Sequence, residues 1–147
     1  VAELMQEVTA DKKGLMSPLF YNIGKRNQIN LSGDNAKKLV QIIKTAKSTY
    51  RRICLKVEGF IESNPFIVMI YSQSSSTDIF STAKYYIIEP PTKIEFYTKV
   101  IDNFFNIFIR SKGSTGNPCY IQVTHYGTEA STEIGNVYDL DDSFTLL

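Results

Sequence analysis

The chain has 147 residues, of which 43% are hydrophobic and 21% charged, a composition typical of a soluble globular protein that buries one core. Its formal net charge of +1 argues against a nucleic-acid partner, and the absence of an apolar run of roughly 18 residues argues against membrane insertion. The chain begins at Val1 rather than at Met, so we expect a fragment of a longer polypeptide or a processed form.

Residues 1–34 are rich in Lys, Gly and Asn and contain turn signals at Gly24 and at Gly33. They predict an N-terminal arm and connector that is mostly irregular or short-helical. "SPLFYNIG" is one helix candidate, because Ser17 is suited to the N-cap, Pro18 to the first helical position and Gly24 to the end.

From Asn35 the pattern predicts strands, and we expect residues 35–147 to form one head domain. The expected strands are short runs rich in Ile, Val, Phe, Tyr and Thr, bounded by Pro, Gly, Asn and Ser. They cover residues 38–44, 52–60, 65–72, 84–89, 93–100, 104–111 and 119–126, with "SFTLL" at the C-terminus as an eighth candidate.

Seven or eight such strands without interleaved amphipathic helices predict an all-β fold, an antiparallel β-sandwich of jelly-roll-like type. The clearest hairpin joins residues 93–100 to 104–111 through the turn-prone pair Asp102-Asn103. Pro90 and Pro91 interrupt the sheet because proline cannot occupy a central strand.

Two of the expected strands are apolar on both faces, unlike the others, which alternate between apolar and polar residues. Residues 65–71 and 104–109 therefore need a second cover in addition to the core. That cover is either loops of the same chain or other copies of it in a symmetric oligomer, a trimer or else a dimer. The interface candidates from this pattern are Ile67, Met69, Phe104 and Phe108.

The sequence offers little for catalysis, and we expect no enzyme, no cofactor and no metal site. The single histidine, His125, is interpreted as a hydrogen-bonded surface or core residue. The run "YDLDDS" lacks the glycine and glutamate of a calcium-binding loop. Cys54 and Cys119 are each either a free thiol or members of one disulfide, which requires their strands to be neighbours.

Binding surfaces are better supplied, because the chain has nine Tyr and nine Phe residues. Tyrosine offers a broad contact area with a polar tip. The polar loops 72–78, 110–117 and 126–133 are either solvated turns or donors and acceptors for a glycan. The candidate receptor contacts are Tyr71, Ser74, Ser114, Thr115, Asn117 and Tyr126.

The segment "TADKKGLMS", Thr9–Ser17, resembles the "A-x-x-D-K-x-G-L-M-S" connector of bacteriophage tail-fibre and baseplate receptor-binding proteins. The pattern "KIEFYTKV…FFNIFIRS…CYIQVTHYG" is similar to the β-sandwich heads of such fibres. After Ser17 the chain departs from the usual charged "D-K-x-K-L" helix. The resemblance carries no catalytic residue onto this sequence.

The resemblance implies a homotrimer in which Leu15 and Met16 pack against a neighbouring subunit, below an upstream fibre shaft or baseplate module. It also implies a place in the virion tail, and in the host cytoplasm before assembly. We therefore expect a non-enzymatic attachment module that binds a host cell-surface glycan or protein. The alternatives are a purely structural tail component without a ligand and, less favoured, a carbohydrate-active enzyme.

Overall fold

The computed structural model of the protein describes residues 27–46, 51–74, 84–113, 118–126 and 134–147. Within these ranges the chain forms ten β-strands and one short 3₁₀ helix at Gly33–Asn35. The strands are β1 Asn27–Asn30, β2 Leu39–Ala46, β3 Arg52–Ile61, β4 Asn64–Gln73, β5 Lys84–Ile88, β6 Ile94–Ile101, β7 Phe104–Ser111, β8 Cys119–Tyr126, β9 Val137–Tyr138 and β10 Thr145–Leu146. The predicted all-β class is confirmed.

The described strands form two antiparallel sheets. Sheet I has the order β1-β8-β3-β4-β5 and sheet II the order β10-β6-β7-β2-β9. Side chains from both sheets meet in a single core cluster, which includes Leu55 and Val68 of sheet I and Phe96 and Ile107 of sheet II. The predicted antiparallel sandwich is therefore confirmed.

The alternation of apolar and polar residues predicts the core face of β3, whereas on β7, which the sequence shows as apolar on both faces, the structure selects the core face. On β3 the side chains of Ile53, Leu55 and Val57 are buried, and on β7 those of Phe105 and Ile107 are buried as well. Neighbouring positions on each strand point to the outer face of the same sheet, because successive side chains alternate across a strand. Each sheet thus has one face in the core and one outer face.

Two tight turns set the register of the long hairpins. Asp102 and Asn103 join β6 to β7 with φ angles of 51° and 65°, as expected for the two-residue turn that the sequence predicted there. Glu62 and Ser63 join β3 to β4 with φ angles of 50° and 68°. The sequence predicted a break between residues 60 and 65, but it did not indicate the two-residue form of this turn, because neither Glu nor Ser is typical of the left-handed region.

The sandwich begins earlier than predicted. Strand β1 lies inside the segment that the sequence assigned to the N-terminal arm, and it pairs with β8. Leu31 is fully buried, and its backbone N–H donates to the carbonyl of Cys119 at 2.8 Å. The run "NQIN" gave no strand signal because only Ile29 of its four residues is apolar. Its place in the sheet comes from pairing with β8.

The outer face of β7 is covered by residues 134–147, which we call the C-terminal segment. Phe108 has no exposed surface and contacts the rings of Tyr138 and Phe144 edge to face, at centroid distances of 5.2 and 5.1 Å. The backbone of Gln41 exchanges hydrogen bonds of 2.8 Å with Asn136 and Gly135, which attaches the segment to β2.

The cover over Phe108 therefore comes from the same chain. Phe108, a predicted interface residue, has no surface left for a neighbouring subunit. The sequence did not reveal this because the C-terminal segment is distant along the chain and carries only two short runs of strand, Val137–Tyr138 and Thr145–Leu146.

The two cysteines are free thiols, so the disulfide alternative is not realised. They lie on the neighbouring strands β3 and β8, but Cys119 pairs in register with Ile61 at the far end of β3 from Cys54. That separation of seven residues spans about 23 Å along a strand, whereas a disulfide needs Cα atoms within about 7 Å. Burial raises the pKa of the Cys119 thiol.

The single histidine forms a hydrogen bond between the two sheets, at a β-bulge in β2. The register shifts between Gln41 and Ile43, which leaves Ile42 as the extra residue. The carbonyl of Ile42 accepts a hydrogen bond of 3.0 Å from Nε2–H of His125 on sheet I. The interpretation of His125 as a hydrogen-bonded residue is confirmed, and burial lowers its pKa from the ordinary value of 6.5.

Phe144→Ala tests the cover over β7. We expect the free energy of unfolding to fall by about 2 kcal/mol, because the substitution removes aromatic contacts with Phe108 and Tyr138. Urea denaturation measures the change. Leu146→Ala is the matched control on the same segment, where the exposed side chain predicts a change within about 0.5 kcal/mol. Equal effects of the two substitutions would contradict the assigned cover.

The half-buried His125 predicts acid sensitivity. Since its pKa is lowered in the folded protein, the unfolded chain binds a proton more readily, and the contribution to stability is present above pH 6.5. This contribution is lost as the pH falls from 6.5 through the folded-state pKa. We expect His125→Gln to reduce the difference between the free energies of unfolding at neutral and mildly acidic pH. An unchanged difference would rule out His125 as the titrating group.

Candidate functional site

The outer face of sheet I carries a strip of aromatic and apolar side chains across three strands. On β3, Cys54, Lys56, Glu58 and Phe60 alternate with the buried core positions. The register places Tyr71, Met69, Ile67 and Pro65 of β4 beside them on one side, and Tyr126, Thr124, Gln122 and Tyr120 of β8 on the other. Because paired residues point to the same face, these twelve side chains share one surface.

A groove of about 620 Å³ lies at the end of this strip nearest the β3–β4 turn. The rings of Phe60 and Tyr120 pack beside each other with centroids 5.7 Å apart and planes inclined by 44°. Phe60 is 37% exposed, Tyr120 48% and Ile67 49%. The groove is lined by Gln28, Glu58, Gly59, Phe60, Pro65, Phe66, Ile67, Tyr120, Ile121 and Gln122.

A polar row crosses the groove beside the aromatic pair. Glu58 on β3 pairs in register with Gln122 on β8, and Gln122 pairs with Gln28 on β1. Lys56 lies 3.6 Å from Glu58, and both side chains are half-buried. Two amides and a carboxylate supply both donors and acceptors next to an apolar surface. The arrangement suits a ligand with an apolar face and polar edges.

Gly59 allows the aromatic pair to form. A Cβ atom at this position would lie 2.0 Å from the carbonyl oxygen of Tyr120, far inside any allowed contact. The absence of a side chain therefore lets β3 approach β8 closely at this point. The same approach brings Phe60 beside Tyr120.

Tyr71 and Tyr126, two predicted receptor contacts, lie on this outer face. They are the register partners of Cys54 on its two sides, at the end of the strip opposite the groove. Tyr126 is 50% exposed, and the hydroxyl of Tyr71 donates to Oε1 of Gln73 at 3.1 Å. The structure thus places these two aromatic residues on the same face, on either side of Cys54 and about 20 Å along the strands from Phe60.

Ser74 does not fit the role that the sequence assigned to it. Its side chain is buried, and Oγ accepts a hydrogen bond of 2.8 Å from the backbone N–H of Arg51. The hydroxyl joins the segments beside β3 and β4 instead of facing a ligand. Ser114, Thr115 and Asn117 lie outside the described residues.

The predicted interface residues divide between the two sheets. Ile67 and Met69 lie on the outer face of sheet I, with Ile67 in the groove itself. Phe104 lies on the outer face of sheet II, with the ammonium of Lys44 4.5 Å from its ring centroid. Leu15 and Met16 lie outside the described residues. Two predicted roles, subunit contact and receptor contact, therefore meet on sheet I.

Sequence reasoning missed the groove residues Phe60, Tyr120 and Gln122. For Tyr120 and Gln122, the sequence pattern that could have identified them is the alternation within "CYIQVTHY". In that run they lie on the opposite face from the core positions Ile121 and Val123. That signal shows which side chains point outward. It does not show that β3 and β8 are neighbours, and this pairing brings Phe60 to Tyr120.

The described part of the chain contains no group of three or more His, Cys, Asp or Glu side chains that is able to hold a metal ion. Among the same residues, no helix has the length and apolar character needed to cross a bilayer.

Comparisons with protein-family models, curated proteins and solved structures found no match. The fold and surface thus define a two-sheet antiparallel β-sandwich with an exposed aromatic groove.

Proposed function

We propose that this chain is the distal, non-enzymatic attachment head of a trimeric bacteriophage tail fibre, and that the groove on sheet I binds a host cell-surface glycan or protein. The head belongs to the virion tail and is present in the host cytoplasm before assembly. The observation that carries the proposal is the exposed pair Phe60 and Tyr120 beside a row of amides and a carboxylate.

The groove has the composition that recognition surfaces use. Aromatic side chains give a large contact area at low entropic cost and are enriched at the energetic centres of interfaces. Gln122 and Glu58 lie directly beside them and provide hydrogen bonds that orient a ligand. The connector "TADKKGLMS" supports the placement of this head on a fibre.

A purely structural tail component is the second candidate, and the apolar side chains of Ile67 and Met69 favour it. These side chains lie on the same face as the groove and suit the core of a protein–protein interface. In that case the whole strip, including Phe60 and Tyr120, would contact a neighbouring subunit, whereas the attachment role requires the subunit contact to stop at Met69 and to leave the groove open.

A carbohydrate-active enzyme is the third and least favoured reading. Among the described residues that line the groove, Glu58 is the one carboxylate, and it lies 3.6 Å from Lys56. Glycoside hydrolysis usually needs two carboxyl groups across the scissile bond. A hydrolysis assay on the host's surface polysaccharide tests this reading directly.

The double substitution Phe60→Ala and Tyr120→Ala tests the attachment role. We expect binding of the assembled protein to host cells to weaken roughly thirtyfold, because truncating a central aromatic anchor costs about 2 kcal/mol. Binding is measured by flow cytometry on host cells, followed by a glycan array and a host-envelope protein overlay to identify the ligand class.

Val100→Ala is the control for this experiment, since Val100 is an exposed apolar residue on sheet II. Its binding should equal that of the unaltered protein. If the unaltered protein assembles but binds no host cell, the structural alternative replaces the attachment role. If the double variant binds as well as the control, the groove is not the site.

Light scattering of the full chain tests assembly, and we expect a trimer at micromolar concentration. Met69→Asp should dissociate it, because a carboxylate buried without a partner at an apolar contact is strongly unfavourable. Val100→Asp places the same charge on the other sheet and should leave the trimer intact. A monomeric unaltered protein would contradict the trimer.

A further inference from the structure

A second, smaller pocket lies on the outer face of sheet II, on the opposite side of the sandwich from the groove. Its volume is about 240 Å³. We call it the amide pocket. It is lined by Gln41, Lys44, Ile101, Asp102, Phe104, Asn106, Asn136 and Tyr138. None of these residues lines the groove, so the pocket is independent of the proposed attachment site.

Three side-chain amides of the pocket form a continuous hydrogen-bond chain. Nδ2 of Asn136 donates to Oε1 of Gln41 at 2.9 Å, and Nε2 of Gln41 donates to Oδ1 of Asn106 at 2.6 Å. Nδ2 of Asn106 donates in turn to the carbonyl of Phe104 at 3.0 Å. Each amide therefore has one defined orientation before any ligand arrives, which lowers the entropic cost of binding.

The amides are unusual in their burial. Gln41 is 3% exposed and Asn106 2% exposed. Both are polar, whereas Phe108, the register partner of Gln41 on the same face, is buried under aromatic rings. Burying a polar group is unfavourable unless it is hydrogen-bonded, and an apolar pair would serve equally well as a cover. The chain uses one of the two hydrogens of each amide nitrogen, and Asn136, at one end of the chain, is exposed to solvent.

The charges of the pocket balance. It has one ammonium group, from Lys44, and one carboxylate, from Asp102. A ligand with a net charge gains from one of these groups and is repelled by the other, whereas a neutral ligand with hydroxyl groups donates to Asp102 and accepts from Lys44. The ring of Phe104, which lies beside Lys44, adds an aromatic surface.

The volume limits the ligand to a small molecule. Pockets for drug-sized ligands have volumes of about 300–1,000 Å³, and the amide pocket lies just below that range. From the fixed amides, the balanced charges and the size, we propose that the amide pocket binds a single neutral, hydroxyl-rich ring, a monosaccharide unit. The site is separate from the groove, so this proposal does not depend on whether the groove binds a host receptor.

The test is an NMR titration of the full ¹⁵N-labelled chain with neutral monosaccharides: glucose, galactose, mannose and N-acetylglucosamine. N-acetylneuraminic acid and glucosamine serve as charged comparators. A single small ring offers few contacts, so we expect a Kd of about 1 mM or weaker. We expect at least one neutral sugar to shift the side-chain NH₂ signals of Gln41, Asn106 and Asn136.

Asp102→Asn is the first variant, because asparagine tolerates the left-handed φ of 51° at this turn and keeps the fold while removing the carboxylate. Loss of that charged acceptor should weaken binding about tenfold. Lys44→Met is the second variant, which keeps an unbranched chain over Phe104 and should also weaken binding. Asp34→Asn removes a carboxylate that does not line the pocket and should leave the Kd unchanged.

The remaining outcomes overturn the proposal. Shifts confined to Tyr120 and Gln122 would place the sugar in the groove. Shifts only with a charged sugar would contradict the neutral ligand, and the absence of shifts with every neutral sugar would exclude the site. Equal Kd values for Asp102→Asn and Asp34→Asn, with both spectra showing a folded protein, would also reject the pocket.

Discussion

Strand β7 carries large aromatic or aliphatic side chains on both of its faces, and the C-terminal segment is arranged to keep the outer side chain of Phe108 from water. Phe105, Ile107 and Ile109 fill the core on one side. Phe108 on the other side lies under Tyr138 and Phe144 of the C-terminal segment. The segment reaches across β7 because its two ends pair with the strands on either side of β7, which are β6 and β2. Thr145 and Leu146 pair with β6, and Val137 and Tyr138 pair with β2.

The same constraint explains the difference between the two outer faces. On sheet II the C-terminal segment covers Phe108, and the amides of Gln41 and Asn136 connect it to the sheet. On sheet I, the described residues leave Phe60, Tyr120 and Tyr126 partly exposed. An exposed apolar surface of this kind is costly in water and is typical of an interaction site. Sheet II also keeps exposed apolar side chains, such as Phe104 and Leu146. The packed pair of exposed aromatic rings, Phe60 and Tyr120, lies on sheet I and is the basis for the proposal that recognition takes place there.

The two sheets also differ in how they use polar groups. In sheet II, Arg110 donates to Glu95 at 2.8 Å, and burial together with the nearby Glu95 carboxylate raises the pKa of Tyr97. In sheet I, Lys56 and Glu58 lie between the aromatic ends of the strip at 3.6 Å. Such half-exposed pairs add little stability. In the proposed attachment role, Lys56 and Glu58 orient a ligand beside the aromatic groove.

The amino-acid sequence by itself determined the class of fold and nearly all of the long strands. The predicted runs at 104–111 and 119–126 coincide with β7 and β8, because period-two alternation is a local property that neighbouring residues specify. The alternation also showed which side chains of β3 point outward, whereas on β4, which is apolar on both faces, it did not. The turn at Asp102-Asn103 was visible for the same local reason.

Only the tertiary structure decided which surfaces those side chains form. The cover of Phe108 by residues distant in the chain, the pairing of Phe60 with Tyr120 and the burial of Ser74 all depend on contacts between segments far apart in sequence. Strand β1 is recognisable only by its pairing with β8. Alternation specifies the face on which a residue lies, whereas strand order and register specify its neighbours, and these follow from the packing of the whole chain.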